Sequence, residues 1–166
     1  MARKNTKRKG RGSFVGLERK ILLHSNTCSL SNPAFRLLVL VYEQYKGPGY
    51  NGQLCASWTL MKDRGFTSKD SLQKALRELL RKGFLIQTRQ GGRHQASLFA
   101  VTFEALDECP NHHLDRTPHG DERTRPLGYW KLGYNPEFGN RAPHAGQSAP
   151  DTGQKQCGSR TVEETL

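Results

Sequence analysis

Apolar positions between residues 31 and 104 change period in a regular order. In "SNPAFRLLVLVYEQYKG", Leu37, Leu38, Val41, Tyr42 and Tyr45 recur at helical spacing. Ser31 or Asn32 stands where an N-cap belongs, and Pro33 falls in the first turn, where a missing N–H costs nothing. "GPGYNG" is turn-rich, "QLCAS" fits a short strand, and "SWTLMKDRG" predicts a helix capped by Ser57 and stopped at Gly65. Phe66-Thr67 then makes a tight turn into a helix capped by Ser68. On that helix Leu72, Ala75, Leu76, Leu79 and Leu80 share one face, while Asp70, Gln73, Lys74, Arg77 and Arg81 share the other. Gly83 sits at the C′ position. The period then shortens: "FLIQTRQ" and "ASLFAVTF" are β-rich runs separated by "GGRHQ", a hairpin pattern with Gly91-Gly92 expected at its tip.

The order is helix, strand, helix, turn, helix, strand, loop, strand. It predicts an α+β fold, a winged helix-turn-helix of three helices plus a small antiparallel β-hairpin wing. The expected limits are residues 14–104, with "FVGLERKILLHSNTCSLS" as a lead-in covering the core. Residues 1–13 read as a flexible basic arm. Residues 105–166 read as a low-complexity, mostly disordered tail, with an aromatic segment at 125–138 and a short A-P-x-x-G-Q repeat at 142–155.

Charge sharpens that division. The formal net charge is +11 over 166 residues, and it is unevenly placed. Residues 1–24 hold eight Lys/Arg against Glu18 alone, and residues 25–104 hold eleven against five acids. Residues 105–166 reverse the balance, with seven against nine. A basic arm joined to a basic domain favours a polyanionic partner, nucleic acid being the commonest. The four cysteines are far apart and form no C-x-x-C pair, which argues against a disulfide scaffold or a zinc ribbon. No apolar run approaches a membrane span, and no apolar stretch of signal-peptide type follows the basic start. The expectation is a soluble protein of the bacterial cytoplasm, associated with the nucleoid, with no membrane partner.

A recognition helix needs one apolar face to bury and one face of long donors and acceptors. Ser68, Lys69, Gln73, Lys74 and Arg77 meet that need: Gln pairs with adenine, Arg or Lys with guanine, and Ser and Lys suit phosphate. The alternative is an ordinary solvated basic face. The hairpin adds Arg89, Gln90, Arg93, His94 and Gln95, and no acid occurs from Phe84 to Phe103. The arm adds Arg3, Lys4, Lys7, Arg8, Lys9 and Arg11, suited to a minor groove or to phosphates. The alternative for the arm is a solubilising terminus or a charge run mimicking a localisation signal.

The pieces "LSNPAFRLLVLVYEQYKG", "YNGQLCAS", "MKDRGFTSKDSLQKALRELLRKGFL" and "TRQGGRHQASLFAVTFEALDE" resemble the winged helix-turn-helix proteins of bacteriophages and mobile elements, some of them replication or transcription regulators. The resemblance covers about residues 30–108, and the chain departs from the family's pattern beyond them. It implies the fold and DNA binding, with Ser68, Lys69, Gln73, Lys74 and Arg77 facing DNA and Arg93 in the wing.

Other motifs weigh less. Cys109, His112, His113 and His119 include a C-x-x-H pair, but their irregular spacing makes a poor zinc site, and a polar linker containing histidines accounts for them. No Asp/Glu/His constellation suggests a nuclease, and no Walker loop or nucleophile elbow occurs. Tyr129, Trp130, Tyr134 and Phe138 either dock a protein partner or fold back on the domain. The expectation is therefore a non-enzymatic, sequence-specific binder of double-stranded DNA with no cofactor. It would act as a transcription regulator or replication initiator of a phage, prophage or plasmid. The alternative is a winged-helix interaction module that recruits a partner through the aromatic segment.

Overall fold

The computed structural model describes residues 15–138, an α+β arrangement of six α-helices and a three-stranded antiparallel sheet. The arm residues Arg3, Lys4, Lys7, Arg8, Lys9 and Arg11, and the repeat at 142–155, lie outside the described residues. The lead-in forms two single-turn helices, α1 (Arg19–Leu22) and α2 (Ser25–Cys28), which insert Ile21 into the core. α3 (Asn32–Tyr42) starts at Ser31, whose hydroxyl accepts from the Ala34 amide at 3.4 Å. β1 (Leu54–Cys55) follows, and then α4 (Trp58–Met61), which tightens into a 3-10 turn over Lys62–Arg64. Ser57 occupies the N-cap position of α4, but its side chain makes no cap hydrogen bond.

α5 (Lys69–Arg81) follows the sequence closely. The Ser68 hydroxyl accepts from the Asp70 amide at 3.2 Å. At the other end Phe84 N donates to Leu79 O, and Gly83 takes φ +77. The left-handed residue closes the last turn, which a β-carbon would strain. Leu72, Ala75 and Leu79 are buried against α3, while Leu76 and Leu80 are only half-buried. Glu78 locks the pair of helices together. Its carboxylate accepts from the Ser31 amide (3.0 Å), the Ser31 hydroxyl (2.6 Å) and Lys82 (3.1 Å).

The sheet order is β1-β3-β2, with β2 (Leu85–Arg89) and β3 (Leu98–Val101) forming the hairpin. Leu85, Phe99 and Val101 point toward the helices. Ile86, Leu98 and Ala100 point the other way, and they too are buried. What covers them corrects the expectation of a disordered tail from residue 105. Residues 105–138 run back across that second face, burying Leu106, Cys109 and Leu114, with Leu127 and Tyr129 packed alongside. A 3-10 turn (Gly120–Arg123) and the single-turn α6 (Tyr129–Leu132) lie in this strap. Trp130 is 3% exposed, packs in the main core and meets the His24 ring edge-on at 5.0 Å. Ion pairs and backbone hydrogen bonds supplement the strap's apolar contacts. Arg116 is bidentate to Glu122 (2.8 and 2.9 Å) and also reaches Glu137 (3.1 Å).

Two carboxyls tie stability to pH. The hydrogen bond from Arg116 holds Glu122 below the ordinary carboxylate range. Burial pushes Glu78 up, but the Ser31 and Lys82 hydrogen bonds outweigh it and the net direction is down. A folded-state pKa below the unfolded value of about 4.3 adds stability above that value, and the gain disappears as pH falls through the folded pKa. Thermal melts are therefore expected to change little from neutrality to about pH 5 and to fall steeply below about pH 4. Glu122→Gln should melt lower at neutral pH and show a shallower acid limb.

Candidate nucleic-acid interface

α5 and the hairpin present their polar sides to one groove of about 420 Å³. Lys69 and Gln73 come from α5, Ser57 and Trp58 from the start of α4, and Gln87, Gln90 and Ser97 from the hairpin, over a floor that includes Leu76 and Leu80. Helix geometry explains the division of labour. One side of α5 is buried by Leu72, Ala75 and Leu79, and the next side faces the groove. Asp70, Lys74, Arg77 and Arg81 are left on the exposed side.

The expected contacts do not all fare alike. Lys69, Gln73, Arg77 and Arg93 are exposed, and their side chains make no hydrogen bond or ion pair with another described residue. Lys74 is also exposed but pairs with Asp70 at 2.8 Å. An exposed pair of this spacing contributes only about 0.3–0.5 kcal/mol, so a competing anion can displace it. Ser68 is occupied as the cap of α5. Arg89 is half-buried: its Nη2 donates to Ala96 O at 3.0 Å across the hairpin, and its Nε is buried without a hydrogen-bond partner among the described residues. Its bond to Ala96 O makes Arg89 a brace between the two arms of the hairpin.

The hairpin tip also differs from expectation. Gly92 and Gln95 pair through their backbones (2.9 and 3.4 Å), so Arg93 and His94 are the tip residues. Neither Gly91 nor Gly92 takes a positive φ. Gly91 is required for a different reason: a β-carbon there would lie 2.6 Å from Ser97 N and 2.7 Å from Ser97 Oγ. The glycine permits close approach of the two arms of the hairpin.

Several groups around this surface were not legible as parts of it. Gln87 alternates with Leu85 on the helix-facing side of β2, and a polar residue on an inward register is a usable signal. Asp115 gives none. It arrives from the strap, where its Oδ2 accepts from Gln90 N at 2.6 Å, placing a carboxylate at the base of an otherwise cationic hairpin. Of the aromatic segment, Trp130 is core and the Tyr129 hydroxyl donates to Glu137 at 3.1 Å. Tyr134 (58% exposed) and Phe138 (42%) remain on the surface. Cys109 is buried in an apolar cluster, and burial pushes its thiol up to about 11. His119 caps the strap's 3-10 turn. Among the described residues no group of three or more His, Cys, Asp or Glu side chains converges as metal ligands, and no helix is long and apolar enough to cross a membrane. Comparison with protein families, with curated proteins and with solved structures finds no match to this chain.

Proposed function

We propose that this chain is a winged helix-turn-helix protein that binds double-stranded DNA sequence-specifically, and that it regulates transcription or initiates replication for a phage, prophage or plasmid. The observation that carries this reading is the shared exposure of Lys69, Gln73, Arg77 and Arg93, unpartnered within the described chain, on α5 and the hairpin that flank one groove. Side chains held free at this density of positive charge suit an anion, and Gln73 and Arg77 suit base edges. Arg93 at the hairpin tip suits the phosphates beside them. On this reading α4 and the turn through Gly65 brace α5, and no catalytic step is involved. A second reading, docking of a protein partner, rests on the exposed Leu132, Tyr134 and Phe138.

The test is selection of a duplex from a random library, followed by titration of that duplex across salt. Binding should weaken linearly on a log–log plot as salt rises. Arg77→Ala should lose about 1–3 kcal/mol and relax the selected sequence at one position. Arg93→Ala should weaken binding on all sequences alike and reduce the salt slope by about 1. No binding at low salt, or binding insensitive to salt, overturns the proposal.

A further inference from the structure

Beyond its last ladder pair, Arg89 with Leu98, the two arms of the hairpin are joined to each other by the Gly92–Gln95 backbone pair, by Gly91 N donating to Ser97 Oγ (3.0 Å) and by Arg89 Nη2 donating to Ala96 O (3.0 Å). A two-stranded arm is marginal by itself, and a bulge in an edge strand disrupts the ladder locally and bends the strand, so its direction depends on what else holds it. β2 is an edge strand and carries such a bulge between Gln87 and Arg89. The bulge is anchored on both sides of Thr88. Its hydroxyl donates to Gly52 O at 2.5 Å, and its carbonyl accepts from both Asp115 N (2.8 Å) and Arg116 N (2.9 Å). The next contact outward is the Asp115 carboxylate on Gln90 N. From Arg116 the same strap continues through Glu137 to Asn135, whose amide donates to Arg81 O at 3.0 Å in the last turn of α5. One continuous set of hydrogen bonds therefore runs from the hairpin's base to the end of the helix beside it.

We propose that this strap is a clamp setting the angle between hairpin and α5, and that Asp115 is a positioning residue of the nucleic-acid interface. The proposal rests on the DNA-binding reading above. Charge makes it sharp. A carboxylate beside a cationic hairpin repels a polyanion, so electrostatics alone favours any residue there except an acid. Its value on this account lies in the hydrogen bond it accepts from Gln90 N, which an asparagine oxygen also accepts and an alanine does not.

Asp115→Ala and Asp115→Asn each remove one negative charge, so a purely electrostatic role makes both bind duplex DNA more tightly. The clamp predicts opposite signs. In the full chain Asp115→Ala should bind about fivefold more weakly, the scale of ordering a short segment on binding, and Asp115→Asn at least as tightly as the parent. Amide exchange at residues 90–97 should rise in Asp115→Ala only, with α3 and α5 keeping their protection. Unchanged exchange in the alanine variant overturns the clamp. Faster exchange with affinity that rises as in the asparagine variant overturns the positioning role. A parent chain that binds no duplex at low salt overturns the DNA-binding reading itself, and the role of Asp115 in binding falls with it.

Discussion

A chain ended at Glu104 is expected to lose its cooperative fold, although all three strands and the helices α1 to α5 would remain. Truncation removes the buried side chains of Leu106, Leu114 and Trp130 and uncovers Ile86, Leu98 and Ala100 on the sheet. Each large apolar side chain moved into water costs about 1.5–3 kcal/mol, an upper estimate because the unfolded chain is partly compact. The lost burial of Leu106, Leu114, Trp130, Ile86 and Leu98, leaving the small Ala100 aside, approaches the whole stability of an ordinary domain, about 5–15 kcal/mol. Polar losses add to this: Asn135 Nδ2 donates to Leu85 O (3.3 Å), and Gly128 N donates to Thr102 O (2.8 Å). The exposed sheet face and the uncovered β2 edge should also promote association. The measurements are near-UV circular dichroism and light scattering, compared with a chain ended at residue 138. A monomeric, cooperatively melting 1–104 chain would show that the strap is an accessory. Separating an effector role of the aromatic segment from folding therefore calls for substitution of Tyr134 and Phe138, which are exposed, and not for truncation.

The second large effect is expected at Asn51, which is fully buried. Its Nδ2 donates to Val101 O (3.0 Å), Glu104 O (3.2 Å) and Ala105 O (2.8 Å), and its Oδ1 accepts from Val101 N (2.8 Å). Its backbone amide donates to Asp107 Oδ2 at 2.8 Å. One side chain thus joins the end of β3 to the first residues of the strap. Leaving a buried backbone group unpaired costs about 1–3 kcal/mol, so Asn51→Ala should lose about 3–5 kcal/mol. Asn51→Asp is the more discriminating variant. It keeps the acceptor for Val101 N and the volume, but it turns a carboxylate oxygen toward three carbonyl oxygens. A loss at least as large as that of alanine is expected at neutral pH, read by denaturant unfolding. An aspartate variant as stable as the parent would contradict the donor role of the side chain.

Much of the layout was legible because it is written locally. The cap at Ser68, the apolar face through Leu72, Ala75 and Leu79, and the exit at Gly83 each depend on residues within a few positions of one another. The hairpin's two strands were legible for the same reason, but its tip was not. The sequence marks Gly91-Gly92 as a turn pair, whereas strand register and the contact between Gly91 and Ser97 move the turn to Arg93-His94. The runs "FLI" and "LFAV" did carry a neglected signal. Consecutive apolar residues in a strand imply burial of both faces, and a second covering layer had to come from somewhere.

The strap is where local reading ends. Residues 105–138 lack a period and are rich in charge and proline, the composition of a chain that cannot bury enough apolar surface. Few of their own apolar groups are needed, because the sheet face already supplies the surface to be covered. Some of their charges pair with each other, Arg116 with Glu122 and Glu137, and others reach the rest of the fold, Asp107 to Asn51 N and Asp115 to Gln90 N. Amphipathic periods, caps and turn residues determined α3, α4, α5, the strands and the basic face of α5 by themselves, but not the single-turn helices α1, α2 and α6. Which of those basic residues stand free, what braces the hairpin and where an acid enters the site were decided by contacts between residues far apart in sequence. Such contacts form only between elements already folded, so no local pattern encodes them.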